Sequence, residues 1–362
     1  LHYSKLNREI IHNEILTSCF SKKEIFEIKK KFFNGNTKNS DSDAFINSGM
    51  DIRRTIDTLI TFSEINLPKD RFLKMLLKMG DLVAASGEFS AALDINEKII
   101  YESKNINGLE KFYASALYSA ADIYSRQAQW KLSFVNINKA LSVFKKIGDL
   151  TNCAKCENLL GTIFGEKSDL VKAKYHLEKS LNYLKEKGDD PIKGMTKINL
   201  GVIHTIQGNF DSAFSFYKKA FSNFKRTGDK RRLAEIKYNI GMVYIKKREF
   251  KSAITEFDYC IRLTQKESNV SILGLAYLSK AYAYSQVKDF NLSEINSKKA
   301  MEIFCKTNDR LSIAEIYKIR GIVEKNLGNF KVSENYLLTS LRINKELANE
   351  LNFAETSYEL GL

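Results

Sequence analysis

Along most of the chain, apolar residues recur at spacings of three and four, the mark of helices that bury one face. Around Phe210 they are Phe210, Ala213, Phe214, Tyr217, Ala220, Phe221 and Phe224, one face of a single helix. The preceding stretch, Met195 to Ile206, places Leu200-Gly201 on a second helix. Gln207-Gly208-Asn209 separates the two, a short turn in which glycine supplies a left-handed conformation. The unit predicted here is a helical hairpin.

The hairpin recurs. Trp130, Leu170, Phe210, Phe250, Phe290 and Phe330 stand forty residues apart. Three positions after each comes a small residue: Ser133, Ala173, Ala213, Ala253, Ser293 and Ser333. Ten after each comes Ala140, Ser180, Ala220, Cys260, Ala300 and Ser340, and nine before each comes Ala121, Gly161, Gly201, Gly241, Ala281 and Gly321. Small side chains are required where two helices cross closely, because only they let the backbones approach. Gly148-Asp149, Gly188-Asp189, Gly228-Asp229 and Asn308-Asp309 close successive pairs, the first residue ending one helix and aspartate capping the next. Asp190-Pro191 reads as a cap followed by proline at the first helical position. A lone hairpin cannot bury its own apolar face, so stacking of neighbours must complete the core.

Seven repeats follow, over 73–113, 114–153, 154–193, 194–233, 234–273, 274–313 and 314–353, with an eighth begun at Ala354 and carried through Leu360-Gly361. An absent second helix of this eighth repeat would leave Phe353, Tyr358 and Leu360 uncovered, so a monomer or weak dimer and a native chain that continues are expected. Residues 1–72 lack the period. Ile10, Ile11, Ile15 and Leu16, then Ile25, Phe26, Ile28 and Phe32, then Ile52, Ile56, Leu59, Ile60 and Phe62 suggest three helices. Asn34 to Asp43 reads as a polar loop. This N-terminal segment is either a set of divergent repeats or a small helical cap.

These columns resemble the tetratricopeptide repeat: the Leu200-Gly201 pair, the Gly208-Asn209-Phe210 turn, and Ala213 and Ala220. The usual period is 34 residues. A period of forty with Gly-Asp between repeats is similar to the longer-helix subclass of mitotic adaptors, kinesin light chains and bacterial signalling proteins. The resemblance implies an all-α, right-handed α-solenoid of helical hairpins, preceded here by the helical segment 1–72. It implies a non-catalytic scaffold that holds a protein or peptide in a concave groove lined by the first helix of each repeat. It also implies an alternative: the sensory or regulatory region of a larger bacterial signalling protein, a kinase, cyclase or transcription regulator whose output domain lies outside this chain. Bacterial peptide-regulated phosphatases and transcription factors put a helical module before such repeats. Residues 1–72 show neither a helix-turn-helix nor the acidic, Gln-bearing helix of that phosphatase type.

Composition adds boundaries. The chain has 362 residues and only two prolines, Pro68 and Pro191, in keeping with long helices. No apolar run is long enough to span a bilayer. Lys and Arg number 57 against 43 Asp and Glu, and twelve of the fourteen excess positive charges fall in residues 73–362. Two readings of this excess stand: a solvated basic surface, or attraction for an acidic partner. Nucleic acid is the competing polyanion and is not favoured. Cys19, Cys153, Cys156, Cys260 and Cys305 form no disulfide pattern, which fits a reducing cytoplasm.

Candidate chemistry is sparse. Cys153-x-x-Cys156 has no second cysteine pair for zinc and no preceding strand for a thioredoxin-like fold, so both thiols read as packing, as does Cys260. His2, His12, His176 and His204 are scattered, and His204 takes the place of an aromatic in the column of Tyr124, Phe164, Tyr244 and Tyr284. No metalloprotease helix, nucleotide-binding glycine loop or nucleophile elbow occurs, and no catalytic residue, metal or cofactor is expected. In the family, polar residues just before the Leu-Gly pair touch bound peptide. The matching positions are Asn199 and Asn239, with Asn158, Lys197, Lys237, Tyr238, Tyr277, Tyr317 and Lys318 as neighbouring groove candidates. An Asn amide can both donate to and accept from an extended backbone. Equally, Asn199 and Asn239 could simply bond the adjacent helix. Lys197 and Lys237, forty residues apart, would begin a basic stripe.

Overall fold

The structure, a computed structural model, describes residues 15–32, 52–186, 191–264 and 270–361. His2, His12, Ile10, Ile11, the predicted loop Asn34 to Asp43, and Gly188 to Asp190 lie outside the described residues. Among the described residues regular structure is helical throughout, and no helix is long and apolar enough to cross a membrane. The chain divides into two compact units, 1–186 and 187–362.

The first unit opens with a helical turn over 15–19, then α1 (Lys22–Phe32) and α2 (Ile52–Asn66). Three hairpins follow: α3 (Lys69–Ala85) with α4 (Phe89–Ser103), α5 (Glu110–Arg126) with α6 (Trp130–Lys146), and α7 (Leu150–Glu166) with α8 (Leu170–Tyr183). Helix α3 starts ahead of the predicted residue 73, because Pro68 ends the run from α2 and sets the backbone for a new helix. Ile15, Leu16, Ile28, Ile56, Leu59 and Phe62 are buried in one cluster with Phe72, Leu76 and Met79 of α3 and Ile95 and Ile99 of α4. The described residues of the non-periodic segment thus cover an apolar face of the first hairpin.

The second unit holds four hairpins: α9 (Pro191–Ile206) with α10 (Phe210–Thr227), α11 (Lys230–Lys246) with α12 (Phe250–Thr264), α13 (Val270–Gln286) with α14 (Phe290–Thr307), and α15 (Arg310–Asn326) with α16 (Phe330–Glu346). Helix α17 (Glu350–Leu360) packs on α16 and, less extensively, α15. Within each unit the most extensive contacts are inside hairpins, followed by those between successive hairpins. This is the all-α solenoid arrangement of stacked helix pairs.

The small-residue columns sit at the crossings. A Cβ on Gly201 would lie 2.5 Å from Cε1 of Tyr217, so the α9 backbone rests directly on that ring. Ala213 and Ala220 are fully buried. Serine substitutes for alanine without an orphaned hydroxyl: Ser133 donates to the carbonyl of Ala121 at 2.7 Å, Ser293 to Ala281 at 2.8 Å and Ser333 to Gly321 at 2.8 Å. This is why the column tolerates either residue.

Turns are built alike. The residue before each second helix bonds back five positions, as Asn209 N–H does to the His204 carbonyl at 2.8 Å. The preceding residue is left-handed, and side chains other than glycine occupy it too: Ala128, Ser168, Arg248 and Lys288 all have φ between 55° and 61°. At the hairpin-to-hairpin turns Asp149, Asp229 and Asp309 accept from the backbone N–H three residues on, the predicted caps.

Candidate binding cleft

First helices of successive hairpins in the second unit stand side by side, so residues forty apart align across them. One face of α11, α13, α15 and α17 encloses a cleft of about 850 Å³. Tyr238, Met242 and Ile245 come from α11, and Leu275, Leu278 and Tyr282 from α13. Glu315, Lys318, Ile319 and Ile322 come from α15, and Ala354, Glu355, Tyr358 and Glu359 from α17. Ser279 and Lys246 complete the lining. The size falls within the range of about 300–1,000 Å³ common for ligand pockets.

Polar groups within the cleft are largely engaged with one another. The Ser279 hydroxyl lies 3.5 Å from the Tyr238 hydroxyl, which it can serve as donor, and 3.6 Å from Met242 Sδ. Burial pushes the phenol pKa values of Tyr238 and Tyr282 up, keeping both neutral hydrogen-bonding groups. Lys318 is only 8% exposed, and its ammonium lies 2.9 Å from Glu315 and 2.7 Å from Glu355. Burial alone would pull this pKa down; the two carboxylates outweigh it and hold the ammonium above the usual lysine range. Lys325 reaches across to Glu359, at 3.7 Å from the carboxylate and 3.0 Å from the backbone carbonyl. The arrangement offers apolar surface, two phenols and a charged wall.

Of the residues singled out in the sequence, Tyr238 and Lys318 line this cleft. Asn158 belongs to the first unit, where it is buried on α7. Asn199 and Asn239 are half-buried and do not form its walls. Lys197, Lys237, Tyr277 and Tyr317 share one column, and that column faces the second helix of its own hairpin. Lys237 pairs with Glu256 of α12 at 2.8 Å, and its ammonium lies 4.8 Å from the Tyr259 ring centre and 5.2 Å from that of Phe221. Burial lowers the pKa of Lys197, with Lys193 and Lys219 adding repulsion. Lys299 stands over Tyr277 at 5.3 Å, and Tyr317 meets Tyr336 at 6.0 Å between ring centres. The expected basic stripe therefore does not line the cleft. One residue along a helix turns a side chain by about 100°, enough to move it from cleft to partner helix.

The same inward column in the first unit carries a charge cluster that sequence reading missed. Glu157 of α7 is fully buried, with His176 Nδ1 2.7 Å from Oε2 and Lys179 Nζ 3.2 Å from Oε1. The Lys179 contact is an ion pair whose angle falls outside hydrogen-bond geometry, since Oε1 finds no hydrogen-bond partner. Burial would raise the Glu157 carboxyl pKa, but His176 and Lys179 outweigh it and the value is lowered. His176 also stacks on Phe164, with ring centres 5.2 Å apart. The usable signal was the spacing of nineteen residues between helices, repeated in Lys237 and Glu256 and in Tyr317 and Tyr336. His204 stacks on Phe216 at 5.4 Å, as an aromatic in its position would. Cys153, Cys156 and Cys260 are buried, and burial pushes the Cys260 thiol up to about 12 and Cys156 higher still. No group of three or more His, Cys, Asp or Glu among the described residues could hold a metal ion.

Residues 234–267, most of α11 and all of α12, match the tetratricopeptide repeat family model. No curated protein matches the sequence. Solved structures match it in fold. A Rap protein complexed with competence and sporulation factor has a TM-score of 0.60 at 11% identity, covering 98% of this chain and 97% of its own. The Rap conjugation gene regulator of plasmid pLS20, in complex with the Phr* peptide, has a TM-score of 0.58 at 15% identity, covering 99% and 98%. A STAND signal-transduction ATPase with a tetratricopeptide repeat sensor, from Pyrococcus horikoshii, has a TM-score of 0.61 at 16% identity, covering 97% of this chain and 55% of that one. With hairpins repeating at forty residues and a matching repeat among them, this chain is a tetratricopeptide-like repeat protein.

Proposed function

We propose that this protein is a non-catalytic regulatory scaffold that takes a peptide or a short protein segment into the cleft between α11, α13, α15 and α17. The observation that carries this reading is the cleft itself: about 850 Å³, floored by Leu278 and Ile319 and flanked by Tyr238 and Tyr282. Rap proteins of similar fold are seen with a peptide and with competence and sporulation factor, which supports a peptide-sized occupant. The test is photo-crosslinking. A photoreactive phenylalanine analogue at Tyr282, in the cleft, is compared with one at Tyr101, which is 82% exposed on α4. Peptide adducts formed from Tyr282 and not from Tyr101 support the reading; equal adduct formation, or adducts at Tyr101 alone, sinks it.

A second reading, that this chain is the sensor part of a larger signalling protein, is favoured by one comparison. The chain matches the STAND ATPase over only 55% of that protein's length, and that protein carries a tetratricopeptide sensor. A full-length reading frame with no further domain would remove it.

A further inference from the structure

We propose that the segment held in this cleft is amphipathic and cationic, placing apolar side chains on α11 and α13 and a lysine or arginine against the exposed carboxylate of Glu355. This rests on the reading of the cleft as a peptide site. The two walls differ in kind. Tyr238, Met242, Leu275 and Leu278 make the α11–α13 wall apolar over most of its length, with Lys246 at its far end. The α15–α17 wall carries Glu315 and Glu355 against Lys318, while Glu359 is met by Lys325.

Lys318 is spent within that wall. Its buried ammonium is shared by two carboxylates, so it has little charge to offer an incoming anion. Glu355, by contrast, keeps about half of its side chain exposed, and Glu315 about a third. A carboxylate accepts at both oxygens, so each retains free acceptor capacity after meeting Lys318. A guanidinium or ammonium entering there adds charge-assisted hydrogen bonds and balances the surplus negative charge. An acidic side chain would meet like charge at the same place. The polarity is opposite to that of the chain as a whole, whose net charge is +14. The acidic ligand suggested by composition therefore fits this cleft poorly, and charge complementarity selects the reverse.

The experiment uses the full chain and three fluorescent pools of short peptides, identical in their Leu, Phe, Ser and Gly positions and fixed at one position as Arg, Gln or Glu. Polarisation titrations should rank Arg over Gln over Glu, with a span of about tenfold or more that narrows as salt rises. Glu355→Lys, at an exposed site, should remove or invert the ranking, and Glu355→Gln should halve the span or more. Thermal melts matching the parent show that each variant folds. Equal binding of all pools, a preference for Glu, or a ranking unchanged in Glu355→Lys overturns the charge assignment while leaving the cleft as a binding site. Binding of no pool, together with equal crosslinking at Tyr282 and Tyr101, overturns the site and this proposal with it.

Discussion

Gly201→Ala adds one methyl group where the hairpin has no room for it. The new Cβ would stand 2.5 Å from Cε1 of Tyr217 and 2.8 Å from both Cδ1 and Cζ. Carbon atoms settle at about 3.5–4.0 Å, so ring or backbone must retreat by about 1 Å. Tyr217 is 1% exposed and its hydroxyl lies 3.3 Å from that of Thr205, so retreat breaks packing on the far side as well. Overpacking of this sort costs about 1–3 kcal/mol, and alanine returns about 0.8–1 kcal/mol in helix propensity. The expected net loss runs up to about 2 kcal/mol, read by urea denaturation. Gly80→Ala is the control: its nearest foreign atom is Ile95 Cγ2 at 3.4 Å, an ordinary contact. That variant should be neutral or gain up to about 1 kcal/mol. The chain itself suggests the compensating change, since Ala121 occupies the glycine position in the hairpin where Ile137 replaces the ring. Gly201→Ala should therefore cost far less in a Tyr217→Ile background. A Gly201→Ala protein as stable as the parent, or an equal cost in both backgrounds, refutes the reasoning.

Arg248→Gly should stabilise the α11–α12 turn by about 0.5–1 kcal/mol, because Arg248 is left-handed at φ 60° and glycine holds that conformation without strain; a lower melting temperature would contradict this. Stability of the first unit should fall with acid: the Glu157 carboxyl is held below its unfolded value, so its contribution is complete above that ordinary value and is lost as pH drops through the folded one. Denaturation from pH 7 to pH 4 should show a shallower acid loss in Glu157→Gln, which also starts less stable because it leaves Lys179 without its counter-charge. Asp229→Ala removes the α11 cap that accepts from Arg232 N–H at 3.0 Å and should cost about 1 kcal/mol by urea melt, whereas Asn209→Ala, which makes no such bond, should cost little.

Much of the architecture was legible because helix crossings demand small residues, and that demand recurs at every repeat. Gly201, Ala213 and Ala220 announced the hairpin, and Asp149, Asp229 and Asp309 announced its ends. The first hairpin's start at Lys69 was obscured by the non-periodic segment before it. The candidate site was less legible for a geometric reason. Lys237 and Tyr238 are neighbours in sequence, yet one reaches Glu256 on the partner helix and the other lines the cleft. Column identity says which residues are equivalent; it does not say which direction the column faces. The pairing of Lys318 with both Glu315 and Glu355 depends on three positions in two helices, and no single repeat contains all of them.

The regular spacing of crossings has a consequence for how such a chain can change in length. Loss or duplication of forty residues leaves every crossing residue opposite its partner side chain and every cap ahead of its helix, so the interior survives an edit that adds or removes a whole hairpin. An edit one residue longer or shorter within a helix rotates everything beyond it by about 100° until the next turn. Phe89 and Trp130 stand forty-one residues apart rather than forty, and the turn between Ser103 and Glu110 takes up the extra residue outside any helix. The cleft behaves differently from the interior under the same edit. Its walls come from α11, α13, α15 and α17, so removing one hairpin would bring different residues of the same columns face to face. Length variation in this scaffold conserves the core while reshuffling what the surface recognises.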